Sequence, residues 1–184
     1  MPKKDITAPV AERIPKEMKI HDHVRIDEYY WLNERENPKV IDYLNAENEY
    51  YESLTAHTND FQKELFEEMK GRIKEDDESV PYKKNGYYYI TRYEVGKQYP
   101  IYTRKKETLT AEERILVDVN DLAEGYEYYA LTGLNVNRNN TIVAYGVDTL
   151  SRRQYDLHFK NIETGEHYPE IIKNTTGSTA WSND

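Results

Sequence analysis

Two periods of apolar residues divide the chain, a helical one before about Lys74 and an alternating one from Ser79 onward. Residues 1 to about 20 read as an extended arm, because Pro2, Pro9 and Pro15 prevent a long helix. The run from His21 to Leu32 ends in the aromatic cluster Tyr29-Tyr30-Trp31, too apolar to stay in solvent, and is expected to dock on another part of the protein. Asn37-Pro38 is a helix start: Asn caps free amides, and Pro in the first turn loses no intrahelical bond. Val40, Ile41, Leu44, Tyr51 and Leu54 then lie near one face of a helix over 38–54. Asn59 with Gln62 resembles a capping box, and Phe61, Leu65 and Met69 continue a second helix that Gly71 weakens. An antiparallel helical pair is the expectation.

From Ser79 the turn chemistry changes with the period. Asn85-Gly86 supplies the two positive-φ positions of a two-residue hairpin. Strands are expected at 80–84, 87–93, 100–105 and 114–118, and again at 128–136, 141–147, 154–161 and 168–172. The two sets match at an offset of about 55 residues, Asn85-Gly86-Tyr87 against Asn139-Asn140-Thr141 and Gln98-Tyr99 against Gln154-Tyr155. A third unit is expected to open at Ser178-Thr179-Ala180-Trp181, shortly before Asp184. Repeats that cannot cover their own apolar faces need stacked neighbours, about three or more, and a propeller closes with about 4–8 four-stranded blades. The fold class read here is mixed and mainly β: an N-terminal arm and helical pair over 1–75, then about two blades and the first strand of a third, in an incomplete β-propeller, over 76–184.

Composition adjusts this picture little. Tyr (18) far outnumbers Phe (3) and Trp (2), which suits half-buried strand faces where the ring packs and the hydroxyl reaches a polar partner. The formal charge of -9 and the lack of a basic stripe argue against a nucleic-acid partner. No cysteine is present, which excludes disulfides and thiolate metal sites and fits a reducing compartment. With no secretory apolar core near Met1 and no apolar run of spanning length, the expected setting is cytoplasmic, away from membranes.

Candidate chemistry is sparse. His21 and His23 on one strand would present two imidazoles to one side, but with no third ligand in register no metal site is assigned, and the plain reading is a polar edge segment. No Gly-x-Ser-x-Gly elbow occurs, and none of the five histidines sits in a recognisable partner motif, so no catalytic residue is assigned. No cofactor is implied either. Arg152 and Arg153, adjacent in a loop between strands, can bind carboxylates by paired hydrogen bonds across a domain interface or on a peptide; the alternative is a solvated loop tip. Glu75-Asp76-Asp77-Glu78 reads as a solvated linker between helices and sheet.

Several runs carry a resemblance. Arg25-Ile26-Asp27-Glu28-Tyr29-Tyr30-Trp31-Leu32 and Pro38-Lys39-Val40-Ile41-Asp42-Tyr43-Leu44 resemble the N-terminal signature of the prolyl oligopeptidase family of serine peptidases. Val80-Pro81-Tyr82-Lys83-Lys84-Asn85-Gly86, Leu116-Val117-Asp118-Val119-Asn120 and Ser151-Arg152-Arg153-Gln154-Tyr155 are more similar to its oligopeptidase B (protease II) branch. The likeness runs from about Ala11 to Asp184. It implies a two-domain enzyme, a seven-bladed propeller inserted near the start of an α/β-hydrolase, with the N-terminal arm and helices on the hydrolase side. Such enzymes cleave short peptides, in this branch after Lys or Arg, and the propeller limits substrate size. The family's Ser, Asp and His lie downstream, so the chain alone is expected to be inactive. Its expected partners are the remaining blades, the hydrolase domain and short peptide substrates. Glu127 and Arg153 match acidic and basic positions that the resemblance places in salt bridges at the propeller–hydrolase interface. The rival readings are a stand-alone β-sheet module for binding a protein or peptide, and a non-functional truncated relic.

Overall fold

The computed structural model describes residues 7–182; Pro2 and Asp184 lie outside the described residues. Contacts divide the chain into two compact units, Met1–Ile73 and Lys74–Asp184.

In the first unit the arm is more ordered than its prolines suggest. β1 (Lys16–Ile20) and β2 (His23–Asp27) form an antiparallel hairpin in which Ile20 faces His23, leaving His21 and Asp22 as the turn, with His21 at φ +54°. The aromatic cluster docks within this unit. Trp31, buried, donates its indole N–H to the Glu12 carbonyl (2.9 Å) and meets Tyr43 edge-on at 6.4 Å. The Lys16 ammonium lies 3.4 Å from the centre of the Tyr30 ring. α1 (Pro38–Thr55) starts as its sequence dictates: Asn37 is extended, its side chain accepts from the Lys39 N–H (3.0 Å), and Pro38 occupies the first turn.

The second helix corrects the expectation. α2 (Asn59–Gly71) follows a single 3-10 turn, Ala56–Thr58, and Thr55, Ala56, Thr58 and Asn59 all keep right-handed helical dihedrals. Gln62 therefore bonds the Thr58 hydroxyl (2.7 Å) and closes no capping box with Asn59. With no reversal between them, α1 and α2 do not pack as an antiparallel pair. Ile41, Leu44, Phe61, Phe66 and Met69 remain exposed on the two helices.

The second unit holds two four-stranded antiparallel meanders. The first runs β3 (Tyr82–Lys84), β4 (Tyr87–Arg92), β5 (Ile101–Lys106), β6 (Glu113–Asp118); the second runs β7 (Ala130–Val136), β8 (Ile142–Asp148), β9 (Tyr155–Asn161), β10 (Ile172–Thr175). Asn85 and Gly86 both have positive φ (+47° and +80°), so the β3–β4 turn takes the form its dipeptide calls for. A short helix, α3 (Val119–Leu122), begins the link between the sheets. Tyr89, Leu116, Val117 and Val119 from the first sheet side pack with Val136, Val143, Tyr145 and Ile162 from the second, so the core of this unit lies between the sheets. The matched turns of the repeat also meet: Asn140 donates its side-chain amide to the Asn85 carbonyl (3.2 Å).

Three local expectations take a definite form. The acidic run is exposed between α2 and β3, as a solvated linker should be, and is tied down through its backbone and Glu75: Glu78 and Arg92 form an isolated backbone β-bridge, Tyr93 N–H donates to the Asp77 carbonyl (2.8 Å) and Gly96 N–H to Glu75 (3.3 Å). β10 starts later than 168: Lys160 and His167 form an isolated bridge, and Pro169, with no N–H, breaks the ladder before Ile172. The segment 178–182 joins no strand. It crosses the second sheet instead, where Asn135 donates to the Thr179 carbonyl (3.1 Å), Trp181 donates back to the Asn135 carbonyl (3.2 Å), and Trp181 meets Phe159 at 6.2 Å.

Candidate functional site

Asp148, the last residue of β8, organises the loop that carries the paired arginines. It is 1% exposed, and its carboxylate accepts backbone N–H bonds from Leu150 (2.8 Å), Arg152 (2.9 Å) and Arg153 (2.7 Å). Burial pushes this carboxyl up, but the N–H groups of Leu150, Arg153, Arg152 and Ser151 outweigh it and hold it below the ordinary carboxylate value. Ser151 and Arg153 both take φ +56°, a conformation that bulky residues adopt only where surrounding bonds fix it. Asp148 is thus an internal anchor, and Arg152 and Arg153 project into solvent with no ion pair among the described residues.

The α3–β7 link forms the opposite wall. Tyr126 and Tyr129 from this link, with Leu122, line a pocket of about 420 Å³ whose other side is Tyr145, Val147, Thr149, Asp156, His158 and His167. Tyr145 and His167 are hydrogen-bonded (2.8 Å), and the Tyr145 ring stacks on His158 at 5.9 Å. Burial raises the Tyr145 hydroxyl to about 12 and lowers the pKa of both imidazoles; Asp156 opposes the effect at His158, and Lys160 and His158 reinforce it at His167. Both histidines are therefore held toward their neutral forms.

Glu127 is exposed in the link, next to Tyr126, and Arg153 is exposed in the Asp148 loop, four residues beyond Thr149. The structure brings their two segments to the same pocket and shows no ion pair between the two residues. His21 and His23 are not alternate residues of one strand, since His21 sits in the turn, so the premise for two imidazoles on one side fails. Sequence reasoning missed Asp148, although an Asp closing a strand before a polar loop is an available signal for a side chain that gathers backbone amides. The partnership of Tyr145 with His158 and His167 carried no local signal, because strand pairing creates it.

The description "Prolyl oligopeptidase, N-terminal beta-propeller domain" matches residues 9–184. The chain belongs to the prolyl oligopeptidase family. Within that family it is 37% identical to a dipeptidyl aminopeptidase BI of Pseudoxanthomonas mexicana, over 97% of this chain and 27% of the relative. It is 32% identical to a Protease 2 of Moraxella lacunata, over 94% of this chain and 26% of the relative. Its backbone superposes on oligopeptidase B of Leishmania major with a TM-score of 0.86 at 26% identity, covering 98% of this chain and 28% of that one. The chain thus spans about a quarter of the length of the peptidases it matches, and it corresponds to their N-terminal propeller portion.

Proposed function

We propose that this chain is the N-terminal part of an oligopeptidase B-like serine peptidase of the cytoplasm that hydrolyses short peptides after Lys or Arg. The backbone match to oligopeptidase B over nearly the whole chain carries this reading. In it, a downstream hydrolase domain supplies serine, base and oxyanion hole for acyl transfer to serine and then to water. The first unit belongs structurally to that domain, which would cover the exposed apolar residues of α1 and α2. The sheets admit short peptides and exclude longer chains. Glu127 and Arg153 lie at the hydrolase-facing end and form charge pairs that hold the closed state.

A second reading has its own observation, the 37% identity to a protein named as a dipeptidyl aminopeptidase. An enzyme of that kind needs a free amino terminus on its substrate. The deciding experiment compares two fluorogenic peptides ending in Arg, one with a blocked and one with a free amino terminus, on the full-length enzyme and on the isolated 184-residue chain. Endopeptidase function requires turnover of the blocked peptide by the full-length protein and none by the isolated chain. Cleavage confined to the free-amino peptide transfers the assignment to the second reading. Inhibitor-sensitive turnover by the pure 184-residue chain sinks the proposed division of labour. In the full-length enzyme Arg153→Ala should lower kcat/KM roughly tenfold, and the loss should shrink as salt screens the pair.

A further inference from the structure

We propose that the cleft between the two four-stranded sheets binds a small oxyanion, a phosphate or carboxylate group, on Arg104 with Lys106 at its mouth. Arg104 projects from β5 toward the second sheet and is 1% exposed. Its Nη2 donates to the Asn140 carbonyl (3.0 Å), its guanidinium lies 4.0 Å from the centre of the Tyr87 ring and interacts with the Tyr89 hydroxyl, and Nε and Nη1 have no hydrogen-bond partner within 3.5 Å among the described residues. These contacts orient the group and bring no carboxylate to its charge.

The register sharpens the imbalance. Arg104 stands directly opposite Arg114 in the β5–β6 pairing, and like charges so placed repel. Arg114 is neutralised by Glu163 (2.9 Å). No carboxylate among the described residues does the same for Arg104: Glu113 is bound by Arg92 (2.9 Å), and Glu112 is exposed at the rim. On the far side of the cleft Lys160 adds another cation, spending its ammonium on the Leu116 carbonyl (2.9 Å). A buried guanidinium is stable when paired, and carboxylate or phosphate oxygens are its strongest acceptors.

The space is sufficient. Arg104 and Lys106 line an open cavity of about 510 Å³ together with Tyr87, Arg114 and three carboxylates, Glu112, Glu113 and Glu163, of which Glu113 is taken by Arg92 and Glu163 by Arg114. General attraction is not the cause, because a chain of net charge -9 repels anions from its surface at large. Selectivity must come from this local arrangement.

The test is thermal unfolding and calorimetric titration of the full-length protein with inorganic phosphate and, separately, succinate, at ionic strength held constant with NaCl. A saturable rise in Tm with either ion is expected, and the larger response identifies phosphate or carboxylate as the preferred group. Lys106→Glu, at an exposed position, should weaken binding roughly tenfold, and Arg104→Gln should abolish it. Equal Tm values in phosphate, succinate and NaCl would overturn the proposal, as would a response unchanged by Lys106→Glu. Because Lys106 lies outside the core, that variant decides the matter even if the Arg104 substitution impairs folding.

Discussion

Tyr145, His158 and His167 show how a β-sheet brings titratable residues from separate parts of the chain into contact. Burial lowers both imidazole pKa values, so the unfolded chain takes up protons before the folded one as pH falls. Their contribution to stability is complete above the ordinary histidine value, about 6.5, and is lost as pH drops through the lower folded values. Chemical unfolding midpoints should therefore fall between about pH 7 and pH 5, and His167→Gln should flatten that dependence. A slope identical in the variant would show that the imidazole is not responsible. Asp148 acts over a lower range by the same logic: its folded pKa is depressed, so its stabilisation holds above the ordinary carboxylate value and disappears in stronger acid. The sequence displayed Asp148 and both arginines, but not the amides that bind the carboxylate, because those depend on two left-handed residues, Ser151 and Arg153, with no glycine to announce them.

At the scale of elements, glycine does announce itself, and the reason emerges only in three dimensions. Gly133 sits in a bulge of β7 at φ +64°, Gly146 lies in the middle of β8, and Gly177 crosses both at φ +84°. A Cβ on Gly146 would stand 2.6 Å from the Gly177 Cα, and one on Gly133 would collide with the Gly177 carbonyl. Gly146→Ala should cost about 1–3 kcal/mol, read as a lower urea midpoint with an unchanged m-value. An unaltered midpoint would mean that the crossing segment moves aside freely. The strands themselves were legible because alternation and turn dipeptides are local, and all eight expected strands overlap their counterparts in the two sheets, the eighth only at Ile172 because Pro169 delays it; the segment expected to open a third unit passes over the second sheet. The helical reversal was misread for a similar reason, since Asn59 looks like a cap while Thr55 to Thr58 simply stay helical.

For the whole molecule, the distribution of apolar surface matters more than its amount. Ile41, Leu44, Phe61, Phe66 and Met69 are exposed in the first unit, and β3 and β10 are outer strands of their sheets in the second. Isolated at 184 residues, the chain should self-associate, with a sedimentation coefficient that rises with concentration. A single monomeric species over the whole range would favour the stand-alone binding module. Membership of the family was legible because its motifs are contiguous in sequence; the exposed helical faces were not, because burial is decided by what else folds nearby. The Gly177–Trp181 crossing has a final consequence for synthesis on the ribosome. The segment that lies over the outer face of the second sheet emerges only a few residues after β10, so that face can be covered almost as soon as the sheet's last strand has left the ribosome.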